Sequence, residues 1–175
     1  MGQADSVAAA LENLQQSWTL TIHTAVVTSM CSWEMTLLSC GWDLKLNVTD
    51  LRPVVESGEP PMHIGSLDLP HAATSCAASR SRIFLACGSS EIEVISWSSG
   101  DAMLIGWDAP LRGHTRAVTA VAASDTLLYS SANDMSIRMW DASSGRAIAT
   151  LGHNVEPCGT LSVAGDWILS TAQAG

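Results

Sequence analysis

Histidine and carboxylate recur in this chain at a fixed distance. His23 is followed 20 residues later by Asp43, His71 by Glu91 and His114 by Asp134. Serines stand just ahead of each carboxylate, in "LLSCGWD", "IFLACGSSE" and "LLYSSAND". Serine, imidazole and carboxylate together could supply a nucleophile, its general base and the group that orients the base. A hydrolase triad, however, occurs once and works beside an oxyanion hole. Here the set returns three times, although only 17 of 175 residues are acidic. The spacing therefore belongs to a repeated unit, and the expected chain is not an enzyme.

Other chemistry finds less support. The five cysteines, at 31, 40, 76, 87 and 158, include no CxxC pair. Close ligand pairs are what a zinc site needs, so no metal is expected, nor any cofactor. An odd number of cysteines without a framework reads as buried, reduced thiols of an intracellular protein, cytoplasmic or nuclear. The net charge of −9 excludes the clustered basic footprint of a nucleic-acid binder. No apolar run approaches the ~18 residues of a membrane span, and residues 1–16 lack the basic and apolar regions of a secretory signal. They read as a frayed or helical N-terminal extension, with Val7, Leu11 and Leu14 on one helical face. "MGQADS" fits the acylation pattern at Gly2. An acidic chain without a second basic anchor gains little from one acyl chain, which makes membrane attachment an unfavoured alternative.

The elements that must hold these residues are strands. His23, His71, His114 and His153 are 48, 43 and 39 residues apart, a period near that of four short strands. "HTAVVTSM" parallels "HTRAVTAV", and "LLSCGWDLKLNVTD" parallels "LLYSSANDMSIRMWD". Short β-rich runs alternate with Gly, Ser, Asp and Pro turns throughout. Val118, Val121, Leu128, Ile137 and Met139 are expected to pack between units, "SWTLTI" (17–22) reads as an outer strand, and Pro53, Pro60, Pro61 and Pro70 bracket a longer loop and an outer strand.

"LRGHTRAVTAVAASDTLLYSSANDMSIRMWDASSG" (111–145) resembles a WD repeat, with Gly-His, the turn Asp and the terminal Trp-Asp in that family's places. The likeness is fainter in 23–50 and faintest in 71–98. It implies an all-β chain: a partial β-propeller, an open arc of four-stranded antiparallel blades over 17–175. The blades would occupy about 23–70, 71–113 and 114–152, with a partial fourth from 153. Propellers usually close with about 4–8 blades, so further blades or another chain would complete the ring. The resemblance also implies a hydrogen-bond chain in each blade, from a Trp indole through a Ser or Thr hydroxyl and the His to the turn Asp. Carried over, this gives Trp140, Ser130, His114 and Asp134; then Ser39, His23 and Asp43 without the Trp; then Trp97, His71 and Glu91 with Cys87 at the hydroxyl position.

WD-repeat proteins are protein-interaction platforms. The positions that would meet a protein or peptide partner, one with basic character given the acidic chain, are Trp42, Ser90 and Asn133 before the turn acids, with Thr24, Val26, Ala72, Thr74, Thr115 and Ala117 near the loops leading into each blade. An exposed Trp42 would be a natural binding anchor. Two other readings are a regulatory piece of a longer kinase or ubiquitin ligase, and a membrane-tethered adaptor acylated at Gly2.

Overall fold

The computed structural model describes residues 17–98, 100–153, 158–164 and 167–172; Gly2 and the expected N-terminal helix lie outside them. Short strands form because apolar and β-branched residues alternate over five or six positions and then meet a turn residue. The first sheet contains β1 (Val27–Trp33), β2 (Thr36–Gly41), β3 (Lys45–Asp50) and β4 (Met62–Asp68). The second contains β5 (Ser75–Ala78), β6 (Arg82–Ala86), β7 (Ile92–Ser98) and β8 (Met103–Trp107). The third contains β9 (Val118–Ala123), β10 (Leu127–Ala132), β11 (Ser136–Asp141) and β12 (Ala147–His153). A hairpin of β13 (Cys158–Ala164) and β14 (Trp167–Ala172) follows. Each sheet is an antiparallel meander in chain order.

Two local expectations change. No strand forms over 17–22. The proline-bracketed stretch contains a short helix, α1 (Arg52–Ser57). Proline suits a first helical turn because its missing N–H would be unpaired there anyway. Gly58 ends the helix at φ 70°, a left-handed conformation that costs glycine nothing. The sequence signal for turns was right here, but one proline opens a helix.

The sheets stack face to face. Leu38, Cys40, Leu46 and Val48 of the first meet Cys76, Ile83, Leu85, Ile95 and Trp97 of the second. On its other face the second sheet sends Ala77, Phe84, Ile92 and Val94 against Val118, Val121, Leu128 and Trp140 of the third. Each fully buried Leu, Ile, Val or Phe contributes about 1.5–3 kcal/mol, so these junctions hold the arc together. Ile137 is buried and Met139 half-buried, and neither belongs to this second cluster.

The innermost strands β1, β5, β9 and β13 converge on a common polar hollow of about 220 Å³. Side-chain hydroxyls stitch them. Thr28 Oγ1 donates to the Ala73 carbonyl, and Thr119 Oγ1 to that of Cys158 at 2.6 Å. Ser29 Oγ accepts the Cys76 N–H, and Ser75 Oγ that of Val121, both at 3.1 Å. These bonds join neighbouring sheets and partner backbone groups that strand pairing leaves free. The threonines at 28, 74 and 119 are spaced by 46 and 45 residues, a steadier period than the histidines give.

Candidate functional site

In the third sheet the four residues of the resemblance meet. The turn between β10 and β11 positions Asp134, the loop before β9 supplies His114, and Ser130 and Trp140 lie on paired strands. Trp140 Nε1–H donates to Ser130 Oγ at 2.8 Å. Ser130 Oγ is 2.8 Å from His114 Nε2, and His114 Nδ1 is 3.0 Å from Asp134 Oδ2. Because the carboxylate accepts only, His114 carries its proton on Nδ1 and Nε2 accepts from Ser130. Asp134 also accepts from the Thr115 and Ser136 amides at 2.9 and 3.1 Å and from the Ser136 hydroxyl at 2.7 Å. Gly113 precedes the histidine for a steric reason: a Cβ there would lie 2.7 Å from the Arg138 guanidinium and 3.0 Å from the Trp140 ring.

The electrostatics follow from that geometry. Burial alone would raise the Asp134 carboxyl, but the Ser136 hydroxyl, the Thr115 amide and His114 outweigh it and hold the acid well below its usual range. Burial lowers His114, outweighing the pull of Asp134, so the imidazole is neutral. Further along the repeat Asp141 is lowered to about 2, first by the Ser143 hydroxyl and then by the Ser144 amide and hydroxyl. It ties the turn ahead of β12.

The first sheet builds the same corner without tryptophan. His23 Nδ1 is 2.9 Å from Asp43 Oδ2 and Nε2 is 2.8 Å from Ser39 Oγ. Asp43 caps the Thr24 amide at 3.0 Å and the Lys45 amide at 3.3 Å. Burial would raise this acid too, but the His23 and Thr24 bonds hold it below its ordinary value. Thr49 takes the place of Trp140, and its buried hydroxyl has no partner. Asn47, which the sequence analysis did not single out, brings a donor to a different atom: its Nδ2 reaches His23 Nε2 at 3.0 Å and the Ile22 carbonyl at 3.1 Å, whereas the Trp140 indole meets the serine oxygen. Strand pairing puts Asn47 opposite Ser39, within reach of the same imidazole.

The second sheet departs from the expectation. His71 is exposed, Glu91 pairs with Arg112 at 3.0 Å, and Trp97 Nε1 donates to the Ser79 carbonyl at 2.9 Å. Those residues and Cys87 form no chain. The inner-strand threonines give the correct register. Counting from Thr28, Thr74 and Thr119, His23 and His114 correspond to Leu69, Ser39 and Ser130 to Leu85, and Trp140 to Ile95. Leu69, Leu85 and Ile95 are all buried in the junction with the first sheet. Asp43 and Asp134 correspond to Ser89, whose hydroxyl accepts the Glu91 amide at 3.1 Å, the same cap two residues on. Three members of the polar chain are thus replaced by apolar side chains and the turn acid by a serine that keeps the cap. An apolar replacement of all partners leaves nothing unsatisfied, so it costs little.

These Ser-His-Asp groupings cannot act as nucleophiles where they stand. Ser130 is fully buried and its oxygen already accepts the Trp140 indole, and Ser39 is buried as well. Their chemistry is to satisfy one another inside the sheet edge.

The loop face is where exposed side chains gather. Trp42 is 64% exposed, Val26 57% and Leu44 43%. Gly41 lets the loop close beneath Trp42, since a Cβ would lie 2.5 Å from the Val26 carbonyl oxygen, and the Trp42 amide donates to that oxygen at 2.9 Å. Thr74, Ala117 and Asn133 line a hollow of about 460 Å³ with Gly88, Val118, Thr119, Gly159 and Thr160. Thr24 and Thr115 are exposed beside the capped acids. Ser90 is half-buried, and the position matching Trp42 and Asn133 is Gly88. Ala72 is half-buried on the loop before β5. Among the described residues, no helix is long and apolar enough to cross a membrane.

Residues 109–141 match the family model described as WD domain, G-beta repeat. The fold is similar to that of the computationally designed Ika4 protein, with a TM-score of 0.67 and 18% identity over 89% of this chain and 90% of that one. It is similar also to the WD40 repeats of RRP9, with a TM-score of 0.62 and 18% identity over 80% of this chain and 42% of that one. The chain thus spans nearly all of the designed protein and under half of the second chain. It carries a WD repeat at 109–141 within a fold shared with WD40-repeat structures.

Proposed function

We propose that this WD-repeat chain is a non-catalytic interaction scaffold that takes a protein or peptide partner on its loop face. The observation that carries the reading is Trp42, held at a turn tip with most of its surface in water beside Val26 and Leu44. Exposing so much aromatic surface is unfavourable, and buried tryptophans are common anchors of binding energy. Thr24, Asn133, Thr115, Ala117 and Thr74 continue the same face toward the hollow. The net charge of −9 favours a partner with basic residues. An intracellular setting fits five unpaired thiols.

The test compares Trp42→Ala with the parent chain. Trp42 packs on no buried cluster, so the variant should melt at the same temperature and lose about tenfold or more of its affinity for a captured partner. Unchanged affinity, or a collapse in melting temperature, would show that Trp42 is not an anchor.

A further inference from the structure

A groove of about 410 Å³ opens between the outer rims of the first two sheets. Val48, Ile64 and Gly65 wall it on one side, and Asp101, Met103 and Leu104 on the other. Gly65 keeps it open. Strand pairing sets Gly65 opposite Val48, where paired side chains share a face, and a Cβ built on Gly65 meets nothing within 4 Å. Ile64 is 39% and Met103 57% exposed, so the apolar walls face water. β4 and β8 are the end strands of their sheets, and each keeps one edge unpaired. The turn that supplies Asp101 joins the third and fourth strands of its sheet, whereas the turn that carries Trp42 joins the second and third of its own. In antiparallel meanders those turns lie at opposite ends of the strands, which puts the groove away from the loop face.

The charge at the groove is specific to it. Asp101 is exposed, accepts the Ser98 hydroxyl at 3.2 Å and enters no ion pair among the described residues. Arg52, the cation whose field reaches Asp101, is already held by Asp50 at 2.8 Å. Counting from Thr74 and Thr119, the third sheet has Arg146 in the place of Asp101, and the hollow there is lined by Asp141 and Ser144 as well. One rim thus combines apolar walls with a free carboxylate, and the corresponding rim carries a guanidinium.

We infer that this groove is a second docking site. Its occupant is a short extended peptide that seats an aliphatic side chain between Ile64 and Met103 and sets a lysine or arginine against Asp101. The free edges of β4 and β8 offer main-chain partners to such a strand, and the apolar walls receive its side chains. An acidic peptide would meet Asp101 with like charge and is disfavoured.

The experiment selects a phage-displayed library of random heptapeptides on the Trp42→Ala chain, so that the loop face plays no part. Enriched peptides are synthesised with a fluorophore and titrated by anisotropy. They should place a Lys or Arg beside Leu, Ile, Val or Met, and should bind the parent chain as tightly as the Trp42→Ala chain. Gly65→Trp fills the groove and should weaken them about tenfold or more. Asp101→Lys, at an exposed turn, tests the charge without filling the groove and should weaken them about tenfold at an unchanged melting temperature; it decides the matter if Gly65→Trp does not fold. No enrichment, enriched peptides without a basic residue, or undiminished binding to folded Gly65→Trp or to Asp101→Lys would each overturn the inference.

Discussion

The second and third sheets solve one packing problem in two ways. At the same four positions the third carries His114, Ser130, Asp134 and Trp140, and the second carries Leu69, Leu85, Ser89 and Ile95. In the third, a chain of hydrogen bonds makes a buried imidazole and carboxylate tolerable. In the second, the junction closes on aliphatic side chains and the polar group left at the corner is a half-buried serine capping its turn. The first sheet is intermediate, keeping His23, Ser39 and Asp43 while Thr49 stands in the indole's place and Asn47 approaches the imidazole. The third and second sheets mark the two ends of a range, one corner partnered throughout and one almost wholly apolar; a half-satisfied network is the costly case, and the first sheet carries that cost at the Thr49 hydroxyl.

Crossing the two solutions should be most damaging. Leu85→Ser puts the hydroxyl of the third sheet into the second without its partners. It removes a buried side chain, at about 2–5 kcal/mol, and strands a polar group, at about 1–3 kcal/mol more; loss of cooperative unfolding or a sharply lower melting temperature would be the sign. Next comes Asp134→Ala, which orphans His114, the Thr115 amide and Ser136. We expect about 3 kcal/mol, read as a fall of about 6–12 °C in melting temperature. An unchanged melt would separate the geometry from any energetic role. Transplanting the whole apolar set, His114→Leu with Ser130→Leu, Asp134→Ser and Trp140→Ile, should cost clearly less than the sum of the single changes, because no partner remains unpaired. Additive losses would contradict the equivalence of the two corners.

A smaller effect concerns pH. His114 has a folded-state pKa below its ordinary 6.5, so the unfolded chain takes up a proton first and stability falls as pH drops below that value. Asp134 is held below 3.8; its contribution is intact above the unfolded value and is lost as the solution is acidified through the folded one. The second sheet has no counterpart to either step. Denaturant midpoints across this range should decline with falling pH in the parent chain, and the upper step should be missing from the transplanted variant. The mildest expectation is the melting temperature of Trp42→Ala, which should not move at all.

The third sheet was legible because every member of its polar chain is present in the sequence, and the first because three are. The second was misread for a physical reason. Counting from His71 found Glu91 and Trp97 at the right distances, yet those residues are an exposed ring, a rim ion pair and a core tryptophan with a different hydrogen-bond partner. Once the polar chain has been replaced by leucine and isoleucine, histidine no longer marks the register. The inner-strand threonines do, because bonding to a neighbouring sheet or along their own is a need every sheet shares. "VTS", "ATS" and "VTA" contained that signal. Asn47 and α1 were missed for another reason: each depends on which side chain faces the imidazole or the solvent, and periodicity alone does not fix that.

The central claim is that His23 and His114 are locked acceptors in a partnered corner while His71 is not. A proton–nitrogen correlation spectrum of the imidazoles, recorded well above their titration range, tests it directly. The account predicts a single Nδ1–H tautomer for His23 and His114, with slowly exchanging ring protons, and an averaged pair of tautomers for His71. Averaged signals at His114, or a locked and protected ring at His71, would contradict it.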